Sequence, residues 1–159
     1  MHENLKDNKV HLISNDSYFE EVQRMLAEGK DVRIRIKGNS MRPFIQSGDT
    51  TLLKAYHQGK PLALGCIVLA KDSNRYILHR LVKKKKEALV LAGDGNLTLC
   101  ENVERADIIA IASISYKQDN STGRPIDSIG MRIKGLCWYH TRLLRRIFFK
   151  LKKIFTDKA

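Results

Sequence analysis

The sequence has no long apolar run. A helix that spans a bilayer needs about 18 or more consecutive apolar residues, and no such run occurs among the 159 residues. The segment Met1–Lys9 is polar and charged, so it lacks the apolar centre of a secretory signal peptide. We therefore expect a soluble or peripheral protein without a signal peptide or a transmembrane helix.

Cysteine is scarce: Cys66, Cys100 and Cys137 are the three cysteines, and they are widely spaced. None belongs to a Cys-x-x-Cys pair, and no cluster of cysteine and histidine has the spacing of a zinc site. The pattern predicts reduced and mostly buried thiols, which favours a reducing, cytoplasmic compartment. We predict neither a metal ion nor any other cofactor.

Acidic residues are few. The chain carries 17 Asp and Glu against 29 Lys and Arg, a formal net charge of +12. Such an excess indicates a nucleic acid, an anionic membrane surface or an acidic partner. No helix-turn-helix, zinc-finger or aromatic RNA-binding pattern accompanies the charge, so we expect no nucleic-acid partner.

Residues 1–30 are predicted to form a polar arm followed by a helix. The helix extends from Ser17 to Gly29. Ser17 can cap the free N–H groups of the first turn, Glu20 completes a capping box, and Gly29 ends the helix.

Residues 31–117 have the pattern of a β-rich domain. Val32, Ile34 and Ile36 alternate with charged residues, which predicts a strand with one buried face. Short apolar segments without helical periodicity follow, which predicts a mainly β fold, either a coiled antiparallel sheet or a small barrel. Further strands are predicted at Thr50–Ala55, Cys66–Ala70, Tyr76–Val82, Ala88–Ala92 and Ile108–Tyr116.

Residues 118–126 are polar and predict a linker, whereas residues 127–159 predict a basic amphipathic helical tail. Two interpretations of this tail stay open. It could lie on an anionic membrane, or it could pack its apolar face on the sheet and leave its charges in water. The predicted face comprises Leu136, His140, Leu143, Leu144, Ile147, Phe148, Leu151, Ile154 and Phe155, and the cations are Arg142, Arg145, Arg146, Lys150, Lys152 and Lys153.

Ser40 and His79 are the main candidates for catalysis. Ser40 follows a predicted strand and lies between Gly38 and Pro43, a turn that can expose a hydroxyl. His79 lies in the predicted strand Tyr76–Val82, and a rigid strand can hold a base against a serine. Read separately, a loop serine and a core histidine are ordinary structural residues.

Together these residues resemble a known superfamily. The pattern Gly-x-Ser-Met-x-Pro-x-Ile-x-x-Gly-Asp from Gly38, then His79-Arg80, then Gly93-Asp94-Gly95-Asn96 resembles the serine peptidases of the type I signal peptidase and LexA group. The resemblance covers about residues 32–116. Bacterial signal peptidases usually have lysine in place of His79, so the histidine resembles the endoplasmic-reticulum and archaeal branch.

The resemblance implies a coiled, mostly antiparallel β fold and a role for each site residue. Ser40 would be the nucleophile, His79 the general base and Asp94 a supporting residue. The remaining members would lie on the serine turn and bind substrate or the oxyanion: Gly38, Asn39 and Met41.

Three departures accompany the resemblance. Gly38 stands where signal peptidases often have a second serine. Cys100 stands where the histidine branch has an aspartate, and Glu101 beside it is the alternative third member. The membrane-spanning helix expected before the serine is missing.

The leading prediction is a serine endopeptidase that cleaves a peptide or leader segment, on a partner peptide or at a membrane surface. The alternative is a weakly active or inactive adaptor on the same fold that binds peptides or membranes. A self-cleaving repressor is disfavoured because residues 1–30 are too short for a DNA-binding domain. The pattern does not predict an oligomeric state.

Overall fold

The structure is a computed structural model that describes residues 15–73, 75–118 and 122–156. The prediction for Met1–Lys9 lies outside the described residues. The elements in chain order are α1 (Asn15–Ala27), β1 (Val32–Arg35), β2 (Thr50–Ala55), β3 (Ile67–Asp72), β4 (Arg75–Lys84), β5 (Leu89–Ala92), β6 (Glu101–Val103), a 3-10 turn (Arg105–Asp107), β7 (Ile108–Tyr116), β8 (Arg124–Pro125), α2 (Ile129–His140) and α3 (Arg142–Thr156).

The strands form one antiparallel sheet in the order β1-β2-β7-β3-β4-β5-β6, with β8 beside β7. The register shifts at three places, between Leu52 and Leu53, between Leu69 and Ala70, and between Leu81 and Lys83. Such bulges increase the local twist and bend a sheet. The mainly β prediction of a curled antiparallel sheet is confirmed.

Apolar side chains cover both faces of the central strands. Ile67 and Leu69 of β3 belong to the core cluster that contains Val22 of α1. Val68 and Ala70 alternate with them and belong to a second cluster. The strand segment is therefore continuously apolar, as expected where both faces of a strand are buried.

Two strands escaped prediction because they are short. Glu101–Val103 contains a single apolar residue, and Arg124–Pro125 lies within the predicted linker of residues 118–126. Strand β8 pairs with β7 through Ile114 and Ser115, so this part of the segment is an edge of the sheet.

The predicted C-terminal tail divides into two helices at Thr141. The Thr141 N–H donates to the carbonyl of Cys137 at 3.2 Å, and its hydroxyl donates to the carbonyl of Trp138 at 2.8 Å. The break lets Arg142 reach the Leu97 carbonyl at 3.1 Å. In the described part of the chain, no helix is both long and apolar enough to cross a membrane.

A buried ion pair lies where α2 packs on the sheet. Arg80 of β4 donates from Nε and Nη2 to the two carboxylate oxygens of Asp94, at 2.8 and 2.7 Å. Arg80 also donates from Nη1 to the Gly65 carbonyl at 2.6 Å, and its Cζ lies 4.9 Å from the centre of the Phe44 ring. Both charged side chains are 1% exposed, so the guanidinium is fixed on several sides.

Gly135 of α2 lies directly against this guanidinium. A Cβ at Gly135 would lie 2.1 Å from Arg80 Cζ, whereas a Cβ at Gly130 on the same helix would have no neighbour within 4 Å. Because Arg80 cannot move without losing its hydrogen bonds, helix α2 approaches the sheet this closely only with glycine at residue 135.

We expect Gly135→Ala to lower the free energy of unfolding by about 1–3 kcal/mol or more, because a fixed group resists overpacking. The matched control Gly130→Ala should be neutral or should stabilise by up to about 1 kcal/mol through helix propensity. Urea unfolding measures both variants. Equal midpoints for the two would contradict the close contact with Arg80.

Candidate active site

Ser40 lies on a loop that is closed at its base. The Ile36 N–H donates to the Asp49 carbonyl at 2.8 Å, and the Gly48 N–H donates to the Ile36 carbonyl at 2.9 Å. The Asp49 carboxylate accepts from the Gln46 N–H at 2.9 Å. These bonds hold both ends of the serine turn together, and the Ser40 side chain is exposed on it.

Residues after the serine anchor the turn in the core. Met41, Phe44 and Ile45 are 2%, 5% and 0% exposed, and all three belong to the cluster that also contains α1. Met41 therefore supports the turn from beneath. Gly38 has a φ of 92°, a left-handed conformation that favours glycine, and Asn39 is exposed beside it.

His79 is buried in β4 and pairs with Glu101 at the start of β6. The distance from His79 Nδ1 to Glu101 Oε2 is 2.9 Å, and the two side chains are 7% and 9% exposed. A carboxylate only accepts hydrogen bonds, so the proton of the neutral ring lies on Nδ1. Nε2 is then left as an acceptor, which is the form a general base needs.

The second ring nitrogen faces the loop that contacts the serine. A Cβ at Gly93 would lie 3.1 Å from His79 Nε2 and 2.7 Å from the Ser40 carbonyl oxygen. The Gly95 N–H donates to the same carbonyl at 2.8 Å. Residues 93–95 therefore join the histidine and the serine turn, and this contact requires that residue 93 have no side chain.

Asp94 supports the site from behind through Arg80. Its carboxylate accepts two hydrogen bonds from the Arg80 guanidinium. The His79 ring bonds to Glu101 and not to Asp94. Burial raises the pKa of the Asp94 carboxyl, and the two hydrogen bonds from Arg80 oppose that rise. The residue fixes the loop of residues 93–95 beneath the catalytic candidates.

The structure distinguishes Cys100 from Glu101 as the partner of the histidine. Cys100 Sγ lies 3.1 Å from Arg142 Nη1 and 4.0 Å from the Tyr139 hydroxyl. Glu101 is the residue that contacts His79. Cys100 directly precedes β6, and its side chain contacts the C-terminal helices rather than the ring.

Two side chains from the C-terminal helices contact the loop of residues 93–95. No pattern in the sequence predicted these contacts. Trp138 Nε1–H donates to the Asp94 carbonyl at 2.9 Å, and Arg145 Nη1 donates to it at 3.4 Å. The Arg145 Cζ lies 4.1 Å from the centre of the Trp138 ring. The two contacts with the Asp94 carbonyl join residues 44 and 51 positions apart, so no local pattern could predict them.

The buried cysteine Cys66 is not a competing nucleophile. Cys66 is buried, and burial raises the pKa of its thiol to about 12. A thiol with this pKa carries almost no thiolate at neutral pH, and the thiolate is the nucleophilic form.

A curled antiparallel sheet with an exposed serine turn beside a buried histidine defines a class: the serine peptidase superfamily of the signal peptidase and LexA type. Residues 4–112 match the family described as Peptidase S24-like. The match covers more than half of the chain, and the chain belongs to this family. No curated protein matches the chain significantly. Helices α2 and α3 lie beyond the matched residues.

Proposed function

We propose that this protein is a serine endopeptidase in which Ser40 is the nucleophile, His79 the general base and Glu101 the residue that orients the base. The observation that carries the proposal is the His79–Glu101 pair, at 2.9 Å. It leaves the free ring nitrogen toward the loop that contacts Ser40. A base oriented by a third group next to a serine turn is the arrangement that activates a hydroxyl.

The proposed reaction is acyl transfer. Ser40 Oγ attacks the carbonyl carbon of the scissile bond while His79 Nε2 takes the hydroxyl proton. The backbone N–H of Ser40 stabilises the oxyanion, and Gly38 and Asn39 shape the turn around it. His79 then protonates the leaving amine, and an acyl-enzyme forms. Water, deprotonated by His79, hydrolyses this ester and restores the serine, while Glu101 stabilises the ring each time it is charged.

We expect a fluorophosphonate probe to label Ser40, because the neutral imidazole of His79 can accept the proton of its hydroxyl. Ser40→Ala should abolish labelling, and His79→Ala should slow it by about 10³-fold or more. Mass spectrometry of labelled peptides measures this. The controls are Ser47→Ala, on the same turn, and His57→Ala, both exposed. A folded wild-type protein that is not labelled would support the inactive adaptor instead.

Glu101→Gln should slow labelling by about 100-fold or more, because an amide no longer holds the ring in its productive tautomer. Glu104→Gln, an exposed glutamate three residues along, is the control. A variant labelled at the wild-type rate would remove Glu101 from the site.

We further propose that α3 holds the protein on an anionic membrane surface. The helix turns arginines toward the protein: Arg142 donates to the Leu97 carbonyl and Arg145 to the Trp138 carbonyl. Its apolar side chains outside any contact with the sheet include Leu143, which is 67% exposed, and Leu151, which is 49% exposed. This orientation disfavours packing of the apolar face on the sheet and favours lipid. The side chains of Ile154 and Phe155 lie outside the described residues.

Vesicles with anionic lipid should bind the protein with an affinity that falls as salt rises, by about 1 kcal/mol per engaged Lys or Arg near the surface. Leu143→Glu should weaken co-sedimentation, because it places a carboxylate among the lipid-facing residues. Leu64→Glu makes the same change at an exposed leucine outside α3 and should have little effect. Equal binding by both variants, or no binding by the wild type, would contradict the membrane role of α3.

A further inference from the structure

An apolar groove lies between the serine turn and the C-terminal helices. It has a volume of about 580 Å³, and its walls come from three parts of the chain that are distant in sequence. The serine turn contributes Arg42 and Pro43, the loop after β5 contributes Gly95 and Leu97, and the helices contribute Trp138 among others. The helical wall lies outside the residues that match the peptidase family, which end at residue 112.

The groove adjoins the serine turn. Arg42 and Pro43 follow Ser40 on one turn, and the Gly95 N–H at the groove wall donates to the Ser40 carbonyl at 2.8 Å. A peptide in extended conformation advances about 3.3 Å per residue. A substrate chain that is held at Ser40 and runs toward Pro43 would place side chains only a few residues from the scissile bond in this groove.

The chemistry of the walls selects for apolar side chains. Leu144, Phe148 and Phe149 of α3 line the groove together with Leu97 and Trp138. Groups of this kind bind through burial of apolar area, at about 25 cal/mol per Å². Aromatic side chains add further contact area.

The charges around the groove select against basic side chains. Arg42 and Arg145 line it, and no acidic residue stands among the described residues of its walls. A lysine or arginine in the groove would be desolvated near like charges, which is costly. An uncharged apolar segment has no such cost.

We propose that this groove is the specificity site of the peptidase and binds an apolar, non-basic segment of the substrate beside the scissile bond. The inference rests on the proposed function for its meaning in catalysis, but occupancy of the groove is measured independently of cleavage. Trp138 acts as the reporter, because it is the single tryptophan of the chain and lines the groove.

The binding experiment uses the full chain with Ser40→Ala, so that no peptide is consumed. Three blocked ten-residue peptides are titrated without lipid: one with three leucines in an alanine–serine background, one with serines and one with lysines in place of the leucines. We expect the leucine peptide to shift Trp138 emission to shorter wavelength and to bind at least about tenfold more tightly than the other two.

Two matched variants locate the binding on the structure. Phe149 lines the groove, whereas Ile147 is on the same helix outside it, and their exposed fractions are similar at 54% and 56%. Phe149→Ser should weaken the leucine peptide by about tenfold, and Ile147→Ser should leave its affinity unchanged. Since both side chains are exposed, neither variant should alter the fold, and circular dichroism checks this.

Each outcome decides the inference. Equal binding of the three peptides, or equal affinity of the two variants, would overturn it even if the wild type is labelled at Ser40. A Trp138 shift that depends on protein concentration alone would assign the groove to a second copy of the chain and would also overturn it. Selective leucine binding that Phe149→Ser weakens would support the groove, and failure of the fluorophosphonate probe would then refute only the catalytic proposal.

Discussion

The buried pair of Arg80 and Asp94 is the interaction on which the other parts of the structure depend. One guanidinium joins four separate segments: Asp94 in the loop after β5, the Gly65 carbonyl before β3, the Phe44 ring of the serine turn and the backbone of α2 at Gly135. Removal of one partner of such a pair leaves an uncompensated buried charge, which costs about 3–5 kcal/mol. The pair therefore determines the relative positions of the sheet, the site and the C-terminal helices.

Strand geometry explains why the proposed base and this arginine are neighbours in sequence. Successive side chains of a strand point to opposite faces, so His79 and Arg80 of β4 meet different partners. His79 contacts Glu101, while Arg80 contacts Asp94. The same two residues thus supply the candidate base and the support of the loop beneath it, and Gly93 brings that loop against both the ring and the serine turn.

Local patterns predicted the elements whose signal is contained in their own residues. Strands β2 and β7 were predicted with the observed bounds because β-branched and apolar residues dominate Thr50–Ala55 and Ile108–Tyr116. Ser40 and His79 were found through a motif. The pairing of His79 with Glu101 depends instead on the order β4-β5-β6 of the sheet, which no local pattern contains.

The division of the tail was also beyond local prediction, since the apolar and basic residues there fit one continuous helix. The break at Thr141 accompanies hydrogen bonds from Arg142 and Arg145 to the carbonyls of Leu97 and Asp94. Those acceptors belong to the loop after β5. The positions of these carbonyls depend on the buried pair of Arg80 and Asp94, and not on the sequence of α3. The fold of the C-terminal tail therefore depends on the loop beside the candidate site.

The hydrogen bonds to this loop hold α3 in an orientation that is unusual for an amphipathic helix on a protein surface. An amphipathic helix normally buries its apolar stripe and leaves cations in solvent, whereas here two arginines bind the protein and the leucines are exposed. Full burial of one leucine side chain stabilises a fold by about 1.5–3 kcal/mol. The exposed leucines of α3 do not gain this stabilisation, because they do not pack on the sheet. The hydrogen bonds to the loop beside Asp94 offset part of that loss, and a lipid surface or an apolar peptide would recover the rest.

A ligand that covers α3 also contacts a helix that is bonded to the loop of residues 93–95. That loop contacts both His79 and Ser40. Ligand binding at α3 and the geometry of the site are therefore linked through the hydrogen bonds of Trp138 and Arg145.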